Sequence, residues 1–340
     1  MDPDSVRALA SQHRTAASRD PLAIANAAPT VQSCAEPSLH GKRGSTRWFP
    51  DVDGSQAPVL VHAEDTGIQA VYVYDHNGSR YMTFAPLGTD ALLIQSEMAL
   101  AADRATPTDY RQALVALVAT HPRVDSVLVI GVGGGTLPTA LQRIFPQCRI
   151  DAVDYDPGVI RIAQALFGLS NRQVRLHAVD GRAFVKQALA AGTTYDAIVI
   201  DAFDKDYIPE RLMTLEFLNE LKGILAPTGL IAINSFGGGP LRDRSCATHA
   251  AAFGGFLELM VDTNRIIVAH PRGAAPDGDV AAHAAPSQSD LLRLVGVDHG
   301  WVAQQSRSPR PWDPDARPVR DSEAGSDELR RLREGARFNC

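Results

Sequence analysis

From residue 127 onward, short apolar runs alternate with stretches of helical spacing. Apolar runs of strand length occur in VLVIGVGGGT (127–136), CRIDAVDYDP (148–157), VRLHAVDG (174–181) and YDAIVIDAFD (195–204). A helix-period stretch over residues 158–167 follows the second run. Alternating strands and helices are typical of a mostly parallel sheet with helices on both faces. The pattern therefore predicts an α/β, Rossmann-like domain.

The same pattern continues beyond these four runs. LIAINSF (230–236) predicts a fifth strand, residues 246–260 have helical spacing, and RIIVAH (265–270) predicts a last strand that closes the far edge of the sheet. We expect the folded core of the protein to end at that strand.

A different pattern precedes the α/β region. VLVHA (59–63), IQAVYVYD (68–75) and RYMTFA (80–85) are β-like, and the His76-Asn77-Gly78 segment between the last two is a hairpin turn signal. A small antiparallel β-domain is therefore expected before the Rossmann-like domain. Residues 96–121 then show helical spacing, interrupted at Pro107.

The two ends of the chain lack sustained periodicity. Residues 1–55 predict a mostly disordered head, and residues 273–340 predict a loosely ordered tail in which only SDLLRLVGV and DELRRLREG look helical. The expected organisation is thus a head, a small β-domain over 56–95, a Rossmann-like cofactor-binding catalytic domain over 96–272, and the tail.

The composition and charge of the chain argue against some classes of function. The chain of 340 residues is 45% hydrophobic, which supports a substantial buried core. A net charge of −6 and a pI near 5.9 provide no global attraction to nucleic acid or to anionic membranes. Apolar runs are too short to cross a bilayer, and no export signal precedes them. We expect a cytoplasmic enzyme with neither nucleic acid nor membrane as partner.

Cysteine usage argues against a metal centre. The four cysteines are scattered and form no CxxC motif, so neither a zinc site nor a disulfide framework is expected.

The glycine-rich segment GVGGGT (131–136) is the first candidate for chemistry. Glycines allow backbone N–H groups to approach a ligand closely, and a helix start presents positive charge to anions. The segment predicts that Gly131, Gly133, Gly134 and Gly135 bind a nucleotide-like cofactor, although such a turn after a strand is often only a tight turn.

Carboxylates end the later strands. Asp154 lies about 20 residues beyond the glycines, where an acid binds ribose hydroxyls. Asp180 is placed to accept from an adenine amino group, and Asp201 and Asp204 end the fourth strand. Carboxyl ends of parallel strands meet at one edge of the sheet, so one ligand site is expected there. Tyr155 either covers the adenosine or simply packs.

These residues together resemble the spermidine synthase (polyamine aminopropyltransferase) family over residues 58–270, most specifically over 127–234. The resemblance implies the class I methyltransferase fold and a donor of the S-adenosylmethionine type, intact or decarboxylated, without a metal. It assigns Asp154 to the ribose and Asp180 with Gly181 to the adenine. It assigns Asp201 and Asp204 to the acceptor amine. It also suggests a homodimer.

The first departure from the family lies in the glycine loop. The family has GGGDGG, and here Gly134 replaces the aspartate, which is implied to face the amine of decarboxylated S-adenosylmethionine. Intact S-adenosylmethionine also carries a carboxylate, which an acid would repel and bare N–H groups would bind. Putrescine N-methyltransferases, which are similar to the family, also lack this acid, and an elongation-factor methyltransferase has a similar loop. The departure favours methyl transfer.

The second departure lies before the α/β domain. The family has Tyr-His-Glu or Tyr-Gln-Glu where this chain has Gln95-Ser96-Glu97, so the tyrosine that handles the acceptor amine is missing. Tyr81, Tyr110 and Tyr207 are candidates for the same space. Glu97 is either an amine contact or an exposed helix residue.

The remaining candidates concern the acceptor. Phe203 can wall an apolar acceptor pocket, and Gln95 and Tyr207 are further substrate candidates. Transfer from a sulfonium requires mainly alignment, with Asp201 and Asp204 orienting and deprotonating an amine acceptor. An alternative role for Asp201 is to cap the next turn.

Three hypotheses follow for the function of the chain. Two are reactions with a small-molecule acceptor: methyl transfer from S-adenosylmethionine, and aminopropyl transfer from its decarboxylated form. In the third, the chain is a noncatalytic nucleoside-binding partner protein.

Overall fold

The computed structural model describes residues 57–87, 94–101, 110–172, 174–203, 208–236, 239–261, 264–271, 306–307 and 310–337. The predicted head over 1–55 lies outside these residues, as does the predicted helix SDLLRLVGV. None of the helices in the described part of the chain is long and apolar enough to cross a bilayer.

A small antiparallel sheet comes first. Its strands are β1 (Val59–Asp65), β2 (Ala70–His76), β3 (Ser79–Thr83) and β4 (Ile94–Ala99), in that spatial order. Asn77 and Gly78 have φ angles of 46° and 76°, as the predicted hairpin turn requires. The three strands predicted from the sequence are confirmed.

Strand β4 lies where the sequence predicted a helix. Residues 96–99 were expected to be helical, yet they pair with β3, where Glu97 lies opposite Tyr81. Hydrogen bonds to β3 are long-range in sequence, and the local spacing of apolar residues does not report them. The predicted domain boundaries stay predictions, although β4 extends the small sheet to Ala99.

Within the described residues, the large sheet contains eight strands. They are β5 (Ser126–Ile130), β6 (Arg149–Asp154), β7 (Arg175–Ala178), β8 (Tyr195–Ile200), β9 (Leu225–Phe236), β10 (Leu257–Val261), β11 (Asn264–Ala269) and β12 (Ser306–Arg307). The spatial order is β12-β10-β11-β9-β8-β5-β6-β7, with parallel pairing from β9 to β7 and antiparallel pairing beyond β9. The mixed, mostly parallel α/β fold predicted from the sequence is confirmed.

Helices cover both faces of this sheet. They are α1 (Tyr110–Ala119), α2 (Thr136–Ile144), α3 (Pro157–Leu166), α4 (Gly181–Ala190), α5 (Leu215–Gly223), α6 (Gly239–Phe253) and, near the C-terminus, α7 (Asp327–Arg337). Val127 and Val129 of β5 pack in the cluster that includes α1 and α2, whereas Leu128 and Ile130 pack in the cluster that includes α4, α5 and α6. Both faces of the parallel strands are therefore buried, which explains their continuous apolar runs.

The small sheet packs against the start of α3. Val71, Val73 and Met82 share an apolar cluster with Val159 and Ile162 of that helix. This packing brings the loop between β1 and β2 close to the carboxyl end of β6.

The far edge of the large sheet differs from the prediction. Helix α6 ends at Phe253, and Gly254 follows with a φ of 78°, a conformation that favours glycine. Residues 257–260, predicted as the end of this helix, lie in strand β10 instead. Strand β11 therefore lies between β9 and β10 and does not close the edge.

Residues 310–337 of the predicted loose tail pack on the α/β domain. Val319 and Leu329 are fully buried in the cluster with α5 and α6, and the Leu215 amide donates to the Val319 carbonyl at 2.8 Å. Helix α7 coincides with the predicted DELRRLREG helix. The apolar side chains of Val319 and Leu329 help to attach a segment that is otherwise polar and charged, so its average composition does not reveal that it packs on the domain.

Arg182 links this segment to the domain. Its guanidinium donates to both carboxylate oxygens of Glu220, at 2.7 and 2.8 Å, and to both of Asp321, at 2.7 Å. Only 11% of the Arg182 side chain is exposed. The hydrogen bonds from Arg182 lower the pKa of the Asp321 carboxyl.

We expect Arg182→Gln to lower the free energy of unfolding by about 2–3 kcal/mol, because it leaves two facing carboxylates without their cation at a partly buried site. Urea denaturation at pH 7 measures this. Arg161→Gln is the matched control, since Arg161 pairs with Glu64 at a site where 60% of its side chain is exposed; the expected loss there is below about 1 kcal/mol. Equal losses in the two variants would contradict the assignment.

The same link predicts a pH dependence. Because the Asp321 pKa is lower in the folded state, its contribution is complete above the unfolded value of about 3.9 and disappears as pH falls through the folded value. Asp321→Asn should therefore destabilise the protein at pH 7 and lose its effect at strongly acidic pH. An effect independent of pH would contradict this.

Candidate active site

A cavity of about 240 Å³ lies at the carboxyl ends of β5, β6 and β8. Strand β5 lies between β6 and β8, at the position where ligands bind in open α/β sheets. The lining includes nine of the predicted site residues, namely Gln95, Gly131, Gly133, Asp154, Tyr155, Asp180, Gly181, Phe203 and the predicted proton acceptor Asp201. The cavity therefore brings together the acids that the sequence placed at one sheet edge.

Gly131 lies where two strand ends approach each other most closely. The Asp201 amide donates to the Ile130 carbonyl at 2.8 Å. A Cβ atom at Gly131 would lie 2.2 Å from the Asp201 carbonyl oxygen, and the φ angle of Gly131 is 95°. Both the close approach and the backbone conformation require glycine here.

Several N–H groups of the glycine loop donate within the protein. Val132 donates to the Asp154 carboxylate at 3.0 Å, Gly134 donates to Ser96 Oγ at 2.7 Å, and Gly135 donates to the Val132 carbonyl at 2.8 Å. The sequence suggested that bare N–H groups of this loop receive a cofactor carboxylate. In the structure the Val132, Gly134 and Gly135 N–H groups already have acceptors within the protein.

Gly134 and Gly135 are also placed differently from the prediction. Among the described residues, the cavity lining includes Gly131 and Gly133 but neither of these two. A Cβ atom at Gly134 would lie 2.8 Å from Phe167 Cδ1 and 3.0 Å from Ser96 Cβ, and Gly135 faces Leu169. These two glycines permit packing behind the loop.

Asp154 holds the loop and faces the cavity. Its Oδ2 accepts from the Val132 amide and its Oδ1 from the Asp156 amide, both at 3.0 Å. Burial raises the pKa of the Asp154 carboxyl, although these amides partly offset the effect. A carboxylate at this depth favours further hydrogen-bond donors, such as ribose hydroxyls.

Tyr155 lies beside Asp154 and is 40% exposed. Its hydroxyl donates to Gln69 Oε1 at 3.5 Å, and both side chains line the cavity. Gln69 comes from the loop between β1 and β2, and its Nε2 also donates to Asp156. No local motif marked Gln69, because only the packing of the small sheet on α3 brings it here.

Asp180 is the N-cap of helix α4. Its Oδ1 accepts from the Ala183 amide at 3.0 Å, and its Oδ2 lies 3.3 Å from Arg211 Nη2. Arg211 also lines the cavity, and sequence reasoning missed it. Gly181 packs closely on β5, since a Cβ there would lie 2.6 Å from Ile130 Cγ2.

Asp201 belongs to a hydrogen-bonded chain of side chains. Tyr110 Oη donates to its Oδ2 at 3.2 Å, and Asn234 Nδ2 donates to its Oδ1 at 2.8 Å. Asn264 Nδ2 donates to Asn234 Oδ1 at 2.9 Å, which orients the Asn234 amide so that its NH₂ group faces Asp201. Both carboxylate oxygens thus accept from side chains outside the following turn.

The structure does not place the other residues that were predicted to contact the acceptor substrate together at the cavity. Asp204 and Tyr207 lie outside the described residues, so their roles stay predictions. Glu97 is half-buried in β4, not exposed on a helix, and accepts from Tyr81 Oη at 3.2 Å. It is not among the described residues that line the cavity.

Arg111 is a cavity-lining cation that sequence reasoning also missed. It is only 5% exposed, its Nη1 donates to the Glu97 carbonyl at 3.5 Å, and its Cζ lies 5.5 Å from the Tyr110 ring centroid. An arginine that precedes the apolar run ALVALVA was the available signal, because a charge at the start of a buried helix is almost always paired with other polar groups.

In the part of the chain that the structure describes, no group of three or more His, Cys, Asp or Glu side chains is arranged to hold a metal ion.

Comparison with known proteins agrees with this geometry. Residues 109–242 match the family described as "Spermine/spermidine synthase domain". The polyamine aminopropyltransferase of Vibrio vulnificus is 29% identical over 266 residues, which cover 77% of this chain and 88% of that protein. The eEF1A lysine and N-terminal methyltransferase homolog of Drosophila melanogaster is 33% identical over 147 residues, 40% of this chain but only 21% of the fly protein.

A solved structure shows the same fold. The probable spermidine synthase from Corynebacterium glutamicum superposes with a TM-score of 0.55 at 17% identity, covering 80% of this chain and 97% of that one. This chain therefore carries a spermine/spermidine synthase domain, is homologous to the polyamine aminopropyltransferases, and has the class I S-adenosylmethionine-dependent fold.

Proposed function

We propose that this transferase uses intact S-adenosylmethionine and transfers a methyl group to an amine or another small-molecule acceptor. The observation that carries the proposal is Gly134. The family resemblance implies an aspartate there as counter-ion for the decarboxylated donor, and this chain has neither the carboxylate nor free space for its Cβ atom. Without that acid, the donor carboxylate is not repelled.

The chemistry requires an aligned, unprotonated nucleophile. As the acceptor nitrogen bonds to the methyl carbon, the bond from that carbon to the sulfonium sulfur breaks and its electron pair stays on sulfur. The acceptor nitrogen then loses a proton, for which the Asp201 carboxylate is the proposed acceptor. Tyr110 and Asn234 hold that carboxylate in one orientation. Alignment of nitrogen, carbon and sulfur supplies most of the remaining rate enhancement.

Aminopropyl transfer from decarboxylated S-adenosylmethionine to a polyamine is the second candidate. The similarity to the Vibrio vulnificus aminopropyltransferase supports it. Tyr110 also supports aminopropyl transfer. The family tyrosine is missing before Ser96, and Tyr110, whose hydroxyl donates to Asp201, is a candidate for its place. A noncatalytic nucleoside-binding protein is the third candidate, and turnover with any acceptor would eliminate it.

Isothermal titration with the two donors separates these candidates. We expect wild-type protein to bind S-adenosylmethionine at least about tenfold more tightly than the decarboxylated form, a difference of about 1.4 kcal/mol. The reverse preference would favour aminopropyl transfer, and binding of neither donor would indicate a scaffold without transferase activity.

Variants at Gly134 test the charge argument itself. Gly134→Asp should shift the preference toward the decarboxylated donor by about tenfold, because it restores a negative charge. Gly134→Asn is the matched control, since it crowds Phe167 and Ser96 equally but adds no charge. An equal shift in both variants would show that crowding, not charge, sets the donor preference.

A further inference from the structure

A row of polar side chains crosses three neighbouring strands at the carboxyl edge of the large sheet. The parallel pairing of β8 with β9 reaches Ile200, so the next residue, Asp201, comes level with Asn234. In the antiparallel pairing of β9 with β11, Asn264 lies opposite Phe236, two residues beyond Asn234. Residues two apart on a strand point to the same face. The strand register therefore places Asn234 and Asn264 on one face, next to Asp201.

Helix α1 covers this face of the sheet. Ala232 and Ile266 share the face with the two asparagines and belong to the apolar cluster that includes α1. From the start of α1, Tyr110 donates to Asp201 Oδ2 at 3.2 Å. Asn234 is only 1% exposed, so its amide depends on partners within the protein.

The hydrogen bonds of the two asparagines run in one direction, toward the cavity. Asn264 Nδ2 donates to Asn234 Oδ1 at 2.9 Å, and Asn234 Nδ2 donates to Asp201 Oδ1 at 2.8 Å. A side-chain amide is a donor on one side and an acceptor on the other, so donation from Asn264 decides which side of Asn234 faces Asp201.

The opposite orientation of the Asn234 amide would change the chemistry of Asp201. The Asn234 oxygen would then face a carboxylate oxygen, and two acceptors form no hydrogen bond unless Asp201 carries a proton. A protonated Asp201 cannot take the proton that the acceptor nitrogen must lose. The direction of the hydrogen bonds therefore matters for the reaction as well as for packing.

We propose that Asn264 is a positioning residue for the transfer reaction, which acts through Asn234 to keep the Asp201 carboxylate oriented and unprotonated. Neither asparagine is among the described residues that line the cavity. The inference rests on the proposed function, specifically on Asp201 as the proton acceptor. That role is the same in methyl transfer and in aminopropyl transfer, because the acceptor nitrogen loses a proton in both.

Asn264→Leu tests the proposal at nearly constant side-chain volume. We expect kcat to fall about fivefold, because the Asn234 amide loses the donor that fixes its orientation. The dissociation constant of the donor should change by less than about twofold, since the cavity wall is intact. The assay uses the full chain, the donor that wild-type protein binds more tightly, and putrescine with a panel of other amines as acceptors.

A double-mutant cycle shows whether Asn264 acts through Asn234. In the Asn234→Leu background, Asn264→Leu should change kcat by less than about twofold, because residues of one hydrogen-bonded network have non-additive effects. Gln142→Leu is the matched control, since Gln142 is 8% exposed, donates to the Pro146 carbonyl at 3.0 Å and does not line the cavity. It should leave kcat unchanged in both backgrounds. Equal losses from Asn264→Leu in the two backgrounds would overturn the proposal.

Asn264→Asp reverses the relay without a change in size. The new carboxylate can only accept, so it draws the Asn234 NH₂ group away from Asp201. The acid-side fall of kcat should therefore move to higher pH by about one unit. In the Asn234→Leu background this shift should disappear, whereas a shift caused by the added negative charge alone would persist and would overturn the proposal.

The same titration is observable without turnover, by ¹³C NMR of protein labelled at its aspartate carboxyl carbons, in which Asp201→Asn identifies the Asp201 signal. The ionisable groups around Asp201 are identical in these Asn264 variants: Tyr110 from α1, and the cavity-lining side chains of Asp154, Asp180, Arg111 and Arg211. Thermal denaturation verifies folding, and Asn264→Asp carries the test if Asn264→Leu does not fold.

The proposed function and this proposal fail on different results. A wild-type preference for the decarboxylated donor would overturn methyl transfer and leave the test of Asn264 unchanged. Full activity of Asp201→Asn would overturn the proton-acceptor role and this proposal together. A large loss of kcat in Asp201→Asn, combined with wild-type kcat and an unshifted pH profile in both Asn264 variants, would overturn the role of Asn264 alone.

Discussion

Replacement of Asp201 with asparagine is expected to lower kcat about 1000-fold, because the amide cannot accept the proton that the acceptor nitrogen must lose. Asparagine keeps the size of the side chain and can still accept a hydrogen bond from Tyr110 or Asn234. The fold and the affinity for the donor should therefore stay close to those of wild type. Turnover is measured with the donor that binds more tightly, against a panel of amine acceptors.

Two control variants separate proton transfer from orientation. Tyr110→Phe removes one hydrogen bond to Asp201 and is expected to lower kcat about tenfold or less, since the carboxylate itself remains. Asp196→Asn changes an aspartate in β8, the strand that Asp201 follows. Asp196 accepts from the Asp125 and Ser126 amides and does not line the cavity, so kcat should not change. If Asp201→Asn retained a tenth of the wild-type kcat, Asp201 would not be the proton acceptor.

Replacement of Gly131 with alanine is expected to lower the free energy of unfolding by at least about 3 kcal/mol and to abolish donor binding. The added Cβ would lie 2.2 Å from the Asp201 carbonyl oxygen, and the backbone atoms of strand β8 cannot move without disturbing the centre of the sheet. A left-handed φ adds strain for any residue other than glycine. Urea denaturation and isothermal titration measure the two effects.

Gly192→Ala isolates the contribution of backbone strain. Gly192 has a φ angle of 64°, but no atom lies within 4 Å of the position of an added Cβ. We expect a loss of about 1 kcal/mol and unchanged donor binding for this variant. If Gly131→Ala cost no more stability than Gly192→Ala, the close approach of the two strand ends would not be a constraint in solution.

Elements whose signals lie in neighbouring residues were predicted correctly from the sequence, whereas elements that depend on long-range pairing were not. Apolar runs and glycine breaks are properties of neighbouring residues, and they predicted β5, β6, β7, β8 and the first hairpin. The strand β4 and the strand β10 were misread as helix, because both are stabilised by pairing with strands whose contribution is invisible in local spacing. The attachment of residues 310–337 depends on Arg182 and on two buried side chains, Val319 and Leu329.

For the site, the sequence by itself determined that acids and glycines end successive parallel strands, because strand polarity places those ends at one edge. It therefore predicted Asp154, Asp180 and Asp201 around one cavity. Only the tertiary structure decided that the Val132 and Gly134 amides donate within the protein, and that Arg111 and Gln69 line the same cavity. The physical reason is that a hydrogen-bond partner or a cavity wall comes from residues distant in sequence, and their positions depend on how the small sheet, α1 and the large sheet pack together.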